Sequence, residues 1–321
     1  MIGILLRVWS VIWMGLWGAV YGVRKLLGGR TVKMAAAPKL RLDPAQEALL
    51  KSAQSGIMSA QLELATAYSE GKAGFTQDYG EAAHWFQEAA RQGDADAQFS
   101  YAVCNANGQG VAQSYTEAVQ WFKRAAEQGH SDAQVSLALC LEKGLGQEAD
   151  LVQATLWYRR AVIQGNAAGE LGLASCLIRQ GGEEREAEAV GLFRKAVEQG
   201  VSEAEFSLGE CYLKGQGVAP DAVEALKLFR SAAGKGIPQA KWELALCYRN
   251  GVGTEIDPVE AYHWGLRAAK RGVLAAQAEL DTLKADLTQE QVIEACRRSN
   301  SPPEKPTRHE PEEIAVLSEL S

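Results

Sequence analysis

Six cysteines and four histidines are the side chains with which this 321-residue chain could ligate a metal, close disulfides or attack a substrate. Cys104, Cys140, Cys176, Cys211 and Cys247 follow one another at intervals of 36, 36, 35 and 36 residues, with Cys296 outside the series. A column of that regularity sets the thiols at one position of a repeating unit, so neighbours stand at least the ~8–10 Å of packed helices apart. A disulfide needs Cα atoms within about 7 Å. The spacing therefore reads as small buried core residues in a reducing compartment. His84, His130, His263 and His309 make no i,i+4 pair and no Cys/His ligand spacing, so no metal site is expected. Gly108-Gln109-Gly110 and Gly251-Val252-Gly253 recur with the same period, which marks them as turns between helices and not as phosphate loops following a strand. No G-x-S-x-G, Walker A or zincin motif occurs. With no nucleophile, base or ligand set in view, the chain is expected to be no enzyme and to bind no cofactor.

The period belongs to most of the chain. Ala89-Ala90-Arg91-Gln92-Gly93 is rewritten at Ala125–Gly129, Ala161–Gly165, Ala196–Gly200, Ala232–Gly236 and Ala268–Gly272, with the closing glycines 36, 36, 35, 36 and 36 residues apart. Before each phrase stands a triple at offsets of three and four: Ala82, Trp85, Ala89; Ala118, Trp121, Ala125; Ala154, Trp157, Ala161; Ala189, Leu192, Ala196; Ala225, Leu228, Ala232; Ala261, Trp264, Ala268. Those offsets put three side chains on one helical face, where a bulky residue between two small ones admits a neighbouring helix. A second column, Ala60, Ala97, Ala133, Gly169, Ala204, Ala240 and Ala276, is followed four residues on by Leu64, Tyr101, Leu137, Leu173, Leu208, Leu244 and Leu280. It marks the first helix of each unit, which stops at Gly71, Gly108, Gly144, Gly215 or Gly251 because the position after the helix needs a positive φ. Neither helix buries its apolar stripe alone, so successive units must stack. The expectation is an all-α, right-handed superhelical α/α solenoid.

At these residues the chain resembles the Sel1-like repeat family, relatives of the tetratricopeptide repeats. Ala240 to Gly272, with Leu244, Tyr248, Gly251, Gly253, Trp264 and Ala268, carries the resemblance most fully. It covers roughly residues 45–298, as repeats at 57–93, 94–129, 130–165, 166–200, 201–236 and 237–272 between capping helices at 45–56 and 273–298. The last of these reads as a polar helix with Thr288 as its N-cap. Repeat four departs, with Gln180 in place of the turn glycine and a charged turn from Gly181 to Glu186. The resemblance implies an adaptor that binds other proteins or peptides. Some secreted members staple each helix pair with two cysteines, and that pairing is missing here.

If Ala60 and its equivalents point into the core, the residues two, six and nine later lie on the opposite face and line a concave groove. The expected groove comprises Leu62, Phe99, Val103, Val135, Leu139, Leu171, Ile178, Phe206, Glu210, Leu213, Trp242, Leu246 and Arg249. The alternative is that the large residues at the first of these positions pack against the adjacent repeat. A net charge of −7 supplies no basic stripe, which argues against nucleic acid as partner.

Residues 2–23 are apolar apart from Arg7. At 1.5 Å per residue they span about 33 Å, against a bilayer core of roughly 30 Å. Residues 1–33 are thus expected to be a membrane segment with a basic flank, joined by a linker at 34–44. Gly15, Gly18, Ala19 and Gly22 form a small-residue face suited to a homodimer. Arg24, Lys25, Arg30 and Lys33 follow the run, so a single-pass protein with cytoplasmic repeats is expected. A periplasmic or secreted repeat protein in envelope function, host interaction or signalling regulation is the alternative, and a start at Met34 would make the protein soluble. From residue 299 to 321 the proline-rich composition reads as a disordered tail, ending in the apolar Ile314–Leu320.

Overall fold

The computed structural model describes residues 42–300, and all regular secondary structure among them is helical. Two units divide the chain, Met1–Glu47 and Ala48–Ser321, and the solenoid lies in the second. Asp43 and Gln46 form a reciprocal capping box ahead of α1 (Pro44–Gln54), each accepting the other's backbone N–H at 2.8 Å. Six helix pairs follow: α2 (Met58–Glu70) with α3 (Tyr79–Arg91), α4 (Ala95–Asn107) with α5 (Tyr115–Glu127), α6 (Ser131–Lys143) with α7 (Leu151–Ile163), α8 (Ala167–Gln180) with α9 (Glu183–Glu198), α10 (Ser202–Lys214) with α11 (Ala222–Gly234), and α12 (Pro238–Asn250) with α13 (Pro258–Ala269). A closing pair, α14 (Leu274–Ala285) and α15 (Gln289–Asn300), ends the described chain. From α2 to α14 each helix packs on the next, and α15 returns to α13.

Local chemistry sets the helix ends. Asp78, Ser114, Asp150, Asp221 and Asp257 cap the second helices by accepting first-turn N–H groups. Gly71, Gly108, Gly144, Gly215 and Gly251 end the first helices at φ 65 to 69, the left-handed region that glycine enters without a Cβ penalty. Thr288 Oγ1 accepts from Gln291 N at 3.3 Å, as a cap of α15 should. Unit four corrects the expected charged turn: Gly181 and Gly182, at φ 68 and 102, make the whole reversal, and Glu183, Glu184 and Glu186 form the first turn of α9. Three carboxylates are favourable at a helix N-terminus that has no side-chain cap.

The second glycine of most turns joins one unit to the one before. A Cβ on Gly110 would lie 1.9 Å from the Tyr79 carbonyl oxygen, one on Gly146 2.4 Å from the Tyr115 carbonyl carbon, and one on Gly253 2.1 Å from the Ala222 oxygen. The turns of units two, three, five and six thus rest on the first turn of the preceding second helix, backbone against backbone, while Gly181 and Gly182 of unit four meet no such neighbour.

In the core the alanine columns are buried, Ala82, Ala89, Ala118, Ala125, Ala154 and Ala161 fully so. Beside them lies an aromatic column, Phe86, Phe122, Tyr158, Phe193 and Phe229, one residue after Trp85, Trp121, Trp157, Leu192 and Leu228. Trp121, Trp157 and Trp264 are only half-buried, and the guanidinium groups of Arg124, Arg160 and Arg267 lie over their rings at 4.3, 4.2 and 5.2 Å. A ladder of glutamines closes the first three units. Gln92 Nε2 donates to Gln61 Oε1 at 2.7 Å and to Gly56 O at 3.1 Å, and Gln61 Nε2 donates onward to Ala53 O. Gln128 repeats the pair with Gln98 at 2.8 Å, and Gln164 with Gln134 at 2.9 Å.

Among the described residues no helix is long and apolar enough to cross a membrane, which overturns the expected single-pass membrane localisation. The longest, α9, has 16 residues, about 24 Å at 1.5 Å per residue and short of a ~30 Å bilayer core. The apolar run at 2–23, with the proposed dimer face of Gly15, Gly18, Ala19 and Gly22, lies outside the described residues, as does the tail beyond Asn300.

Candidate functional site: the first-helix layer

The first helices of units three to five touch, α6 against α8 and α8 against α10, so the outward faces of these three form one continuous layer, which α4 and α12 flank. That face carries the expected groove residues. Leu62, Phe99, Val103, Val135, Leu171, Ile178, Phe206, Glu210, Leu213, Leu246 and Arg249 are half-buried there, and Leu139 is 40% exposed. In units two and five, ring contacts account for the half-burial. The Phe99 ring stacks on His130 at 4.6 Å and lies 5.8 Å from Phe122, so it binds its own second helix to the start of the next unit. Phe206 lies 5.9 Å from Phe229 in the same relation. His130 itself caps α6, its Nδ1 accepting from Ala133 N at 3.1 Å.

Trp242 departs from the groove set. It is 7% exposed, in the core of the last cluster. Unit six has Gly265 where the others have the buried aromatic, and a Cβ built there would come within 3.9 Å of the Trp242 ring and 2.7 Å of Leu283. Helical phase assigns Trp242 to the outer face, but the space left by Gly265 draws it inward.

Ion pairs run between the apolar positions. Glu142 accepts from the Tyr158 hydroxyl at 3.1 Å and pairs with Arg179 of the next unit at 2.7 Å, while Arg249 pairs with Glu279 at 2.8 Å. Burial, followed by the Glu142 charge, raises the Tyr158 pKa. Glu210 pairs with Lys214 at 2.6 Å, and burial together with the Glu210 charge raises the carboxyl pKa of Glu243 in the following unit. The face is therefore an apolar stripe crossed by mixed charge.

Of the groups considered for chemistry, His130 belongs to this layer as the cap of α6 and the stacking partner of Phe99. Burial pushes the thiols of Cys104, Cys140, Cys176, Cys211 and Cys247 up to about 11, which leaves them protonated and unreactive near neutrality. Among the described residues no three His, Cys, Asp or Glu side chains are grouped so as to hold a metal. Reasoning from sequence missed the Phe86 column and the glutamine ladder. The recurring Gln92, Gln128 and Gln164 before each closing glycine were the available signal for the ladder.

The Sel1 repeat family model matches residues 59–94, 95–130, 131–166, 167–201, 202–237 and 238–273. The chain is similar to the solved structure of a protective antigen of uropathogenic Escherichia coli described as displaying an SLR fold, at 34% identity and a TM-score of 0.75, covering 79% of this chain and 54% of that one. The chain thus spans about half the length of that protein. It is also similar to a Sel1 repeat protein from Oxalobacter formigenes, at 30% identity and a TM-score of 0.61, covering 67% of this chain and 85% of that one. None of the curated proteins matches.

Proposed function

The chain belongs to the Sel1 repeat family, whose members are generally non-catalytic scaffolds for protein interaction, and from that premise we propose that its first-helix layer takes up a partner polypeptide. The observation that carries the reading is the stripe of Val103, Leu139, Ile178, Leu213 and Leu246, apolar side chains left half-buried or exposed at one position per unit on the first helices, with the helices of Leu139, Ile178 and Leu213 in direct contact. An extended apolar surface of this kind marks an interaction site, and a helix or extended peptide laid along it would meet one anchor per unit. The mixed charges of Glu142, Arg179, Glu210 and Arg249 fix register and exclude wrong partners.

A photo-activated cross-linking residue placed at Leu139 tests this in intact cells. Adducts are expected from Leu139 and not from Val223, an exposed apolar position on the second-helix side. Equal labelling from both, or from neither, contradicts the reading. Trp242 is unsuitable as a probe because its truncation would open the core.

A further inference from the structure

In five units, two polar side chains that meet beside the closing glycine satisfy one another. The first three are amide pairs, Gln61 with Gln92, Gln98 with Gln128 and Gln134 with Gln164. In unit four Glu170 accepts from Gln199 at 2.7 Å, and in unit five Glu205 accepts from Lys235 Nζ at 2.8 Å. Unit six carries Lys241 and Arg271 at these two positions, so both members are cations.

Lys241 is only 5% exposed, yet its ammonium donates to Gly236 O at 3.4 Å, the far limit of a hydrogen bond. Lysine is almost never buried without a partner, because desolvating its charge is costly. Burial and then the charges of Arg271 and Arg267 push the Lys241 pKa down. None of Lys241, Arg267 and Arg271 has a carboxylate within ion-pair distance among the described residues, although the chain carries a net charge of −7. The helices that begin on either side, α12 and α14, have Ile237 and Val273 as N-caps, which offer no side-chain acceptor, so their first-turn N–H groups add to the positive potential.

We propose that Lys241, Arg267 and Arg271 form a carboxylate-binding site at the closing turn of unit six, filled by an acidic stretch of polypeptide. Units four and five supply a carboxylate at this position from within, as Glu170 and Glu205, and unit six takes it from outside. The two guanidinium forks suit a carboxylate, which they can bind through paired hydrogen bonds. This site is separate from the first-helix layer, and neither reading requires the other.

The test is fluorescence anisotropy of a labelled hexaglutamate peptide titrated with the full chain at low salt. K241Q/R271Q rebuilds the amide pair of the first three units and so preserves the fold. R267Q/R271Q, which leaves Lys241 in place, serves as a second variant, and K123Q/R124Q removes the same charge from α5. Binding is expected for the wild type and K123Q/R124Q, and about tenfold or more weaker for the two site variants, the scale of a lost charge-assisted hydrogen bond. The chain's own Glu304, Glu310, Glu312 and Glu313 are a possible source of the same carboxylate. Binding that emerges only in E304Q/E310Q/E312Q/E313Q supports the site and assigns its ligand to the tail. Equal binding by wild type, site variants and control, or none by the wild type and the tail-neutral variant alike, overturns the proposal.

Discussion

Replacing Gly146 with alanine should cost far more stability than replacing Gly165, although the two sit in the same unit at φ 72 and 75. Both alanines would bear the left-handed backbone penalty of roughly 1–2 kcal/mol, offset by about 0.4–1 kcal/mol from the stiffer unfolded chain. A Cβ on Gly165 meets nothing within 4 Å, so about 1 kcal/mol is the whole effect there. On Gly146 the same atom would lie 2.4 Å from the carbonyl carbon and oxygen of Tyr115 and 2.6 Å from Thr116 N. These are backbone atoms of the first turn of α5, and no rotamer change removes them. Restoring an ordinary contact needs a shift of about 1 Å between units two and three, and overpacking of that kind adds roughly 1–3 kcal/mol. The expected loss is therefore about 2–4 kcal/mol for Gly146→Ala. Equilibrium urea unfolding followed by circular dichroism measures both, with hydrogen exchange in α5 and α6 locating the damage, since a solenoid loses stability at the broken interface first. Losses within about 0.5 kcal/mol of each other, smaller than the least steric cost expected, would refute the claim that backbone contact between units is what requires the second glycine.

Other outcomes follow from the same geometry. In the native protein a thiol reagent should modify Cys296 alone among the cysteines of the solenoid, because the other five are buried with thiols raised to about 11; rapid labelling of Cys176 counted by mass spectrometry would contradict this. His263 is buried between α13 and α15 with Nδ1 unpartnered, and burial lowers its pKa below the usual 6.5. The unfolded chain then binds the proton more readily, so the stability His263 contributes is full above about pH 6.5 and is lost as pH falls through the lowered value. Melting curves of wild type and His263→Gln across that range should diverge below pH 6.5, and parallel curves would exclude His263 as the cause. Gln128→Ala leaves Gln98 Oε1 and Gly93 O without their donor and should cost about 1–2 kcal/mol in urea unfolding; Gln120→Ala, on the exposed side of α5, is the control expected to change little.

The solenoid was legible in the residues themselves because its determinants are local and repeated. A helix that must end at a positive φ takes glycine, as at Gly71, Gly108 and Gly251, and a face that must admit a neighbouring helix takes alanine, as at Ala82, Ala118 and Ala154. Periodicity of one helix also identifies the face on which Val103, Leu139 and Leu213 lie, but it cannot say what covers that face. Packing between helices decided the rest. Trp242 shares its phase with Phe99 and Phe206, yet it is buried because Gly265, a residue 23 positions later on another helix, leaves it room. Phe122 and Tyr158 go deeper than Trp121 and Trp157 before them, whose half-buried rings are covered at the surface by Arg124 and Arg160. The partners of Gln61 and Lys241 stand about thirty residues away in the chain, and only the stacking of helix on helix brings those side chains within hydrogen-bond reach or leaves one of them facing another cation.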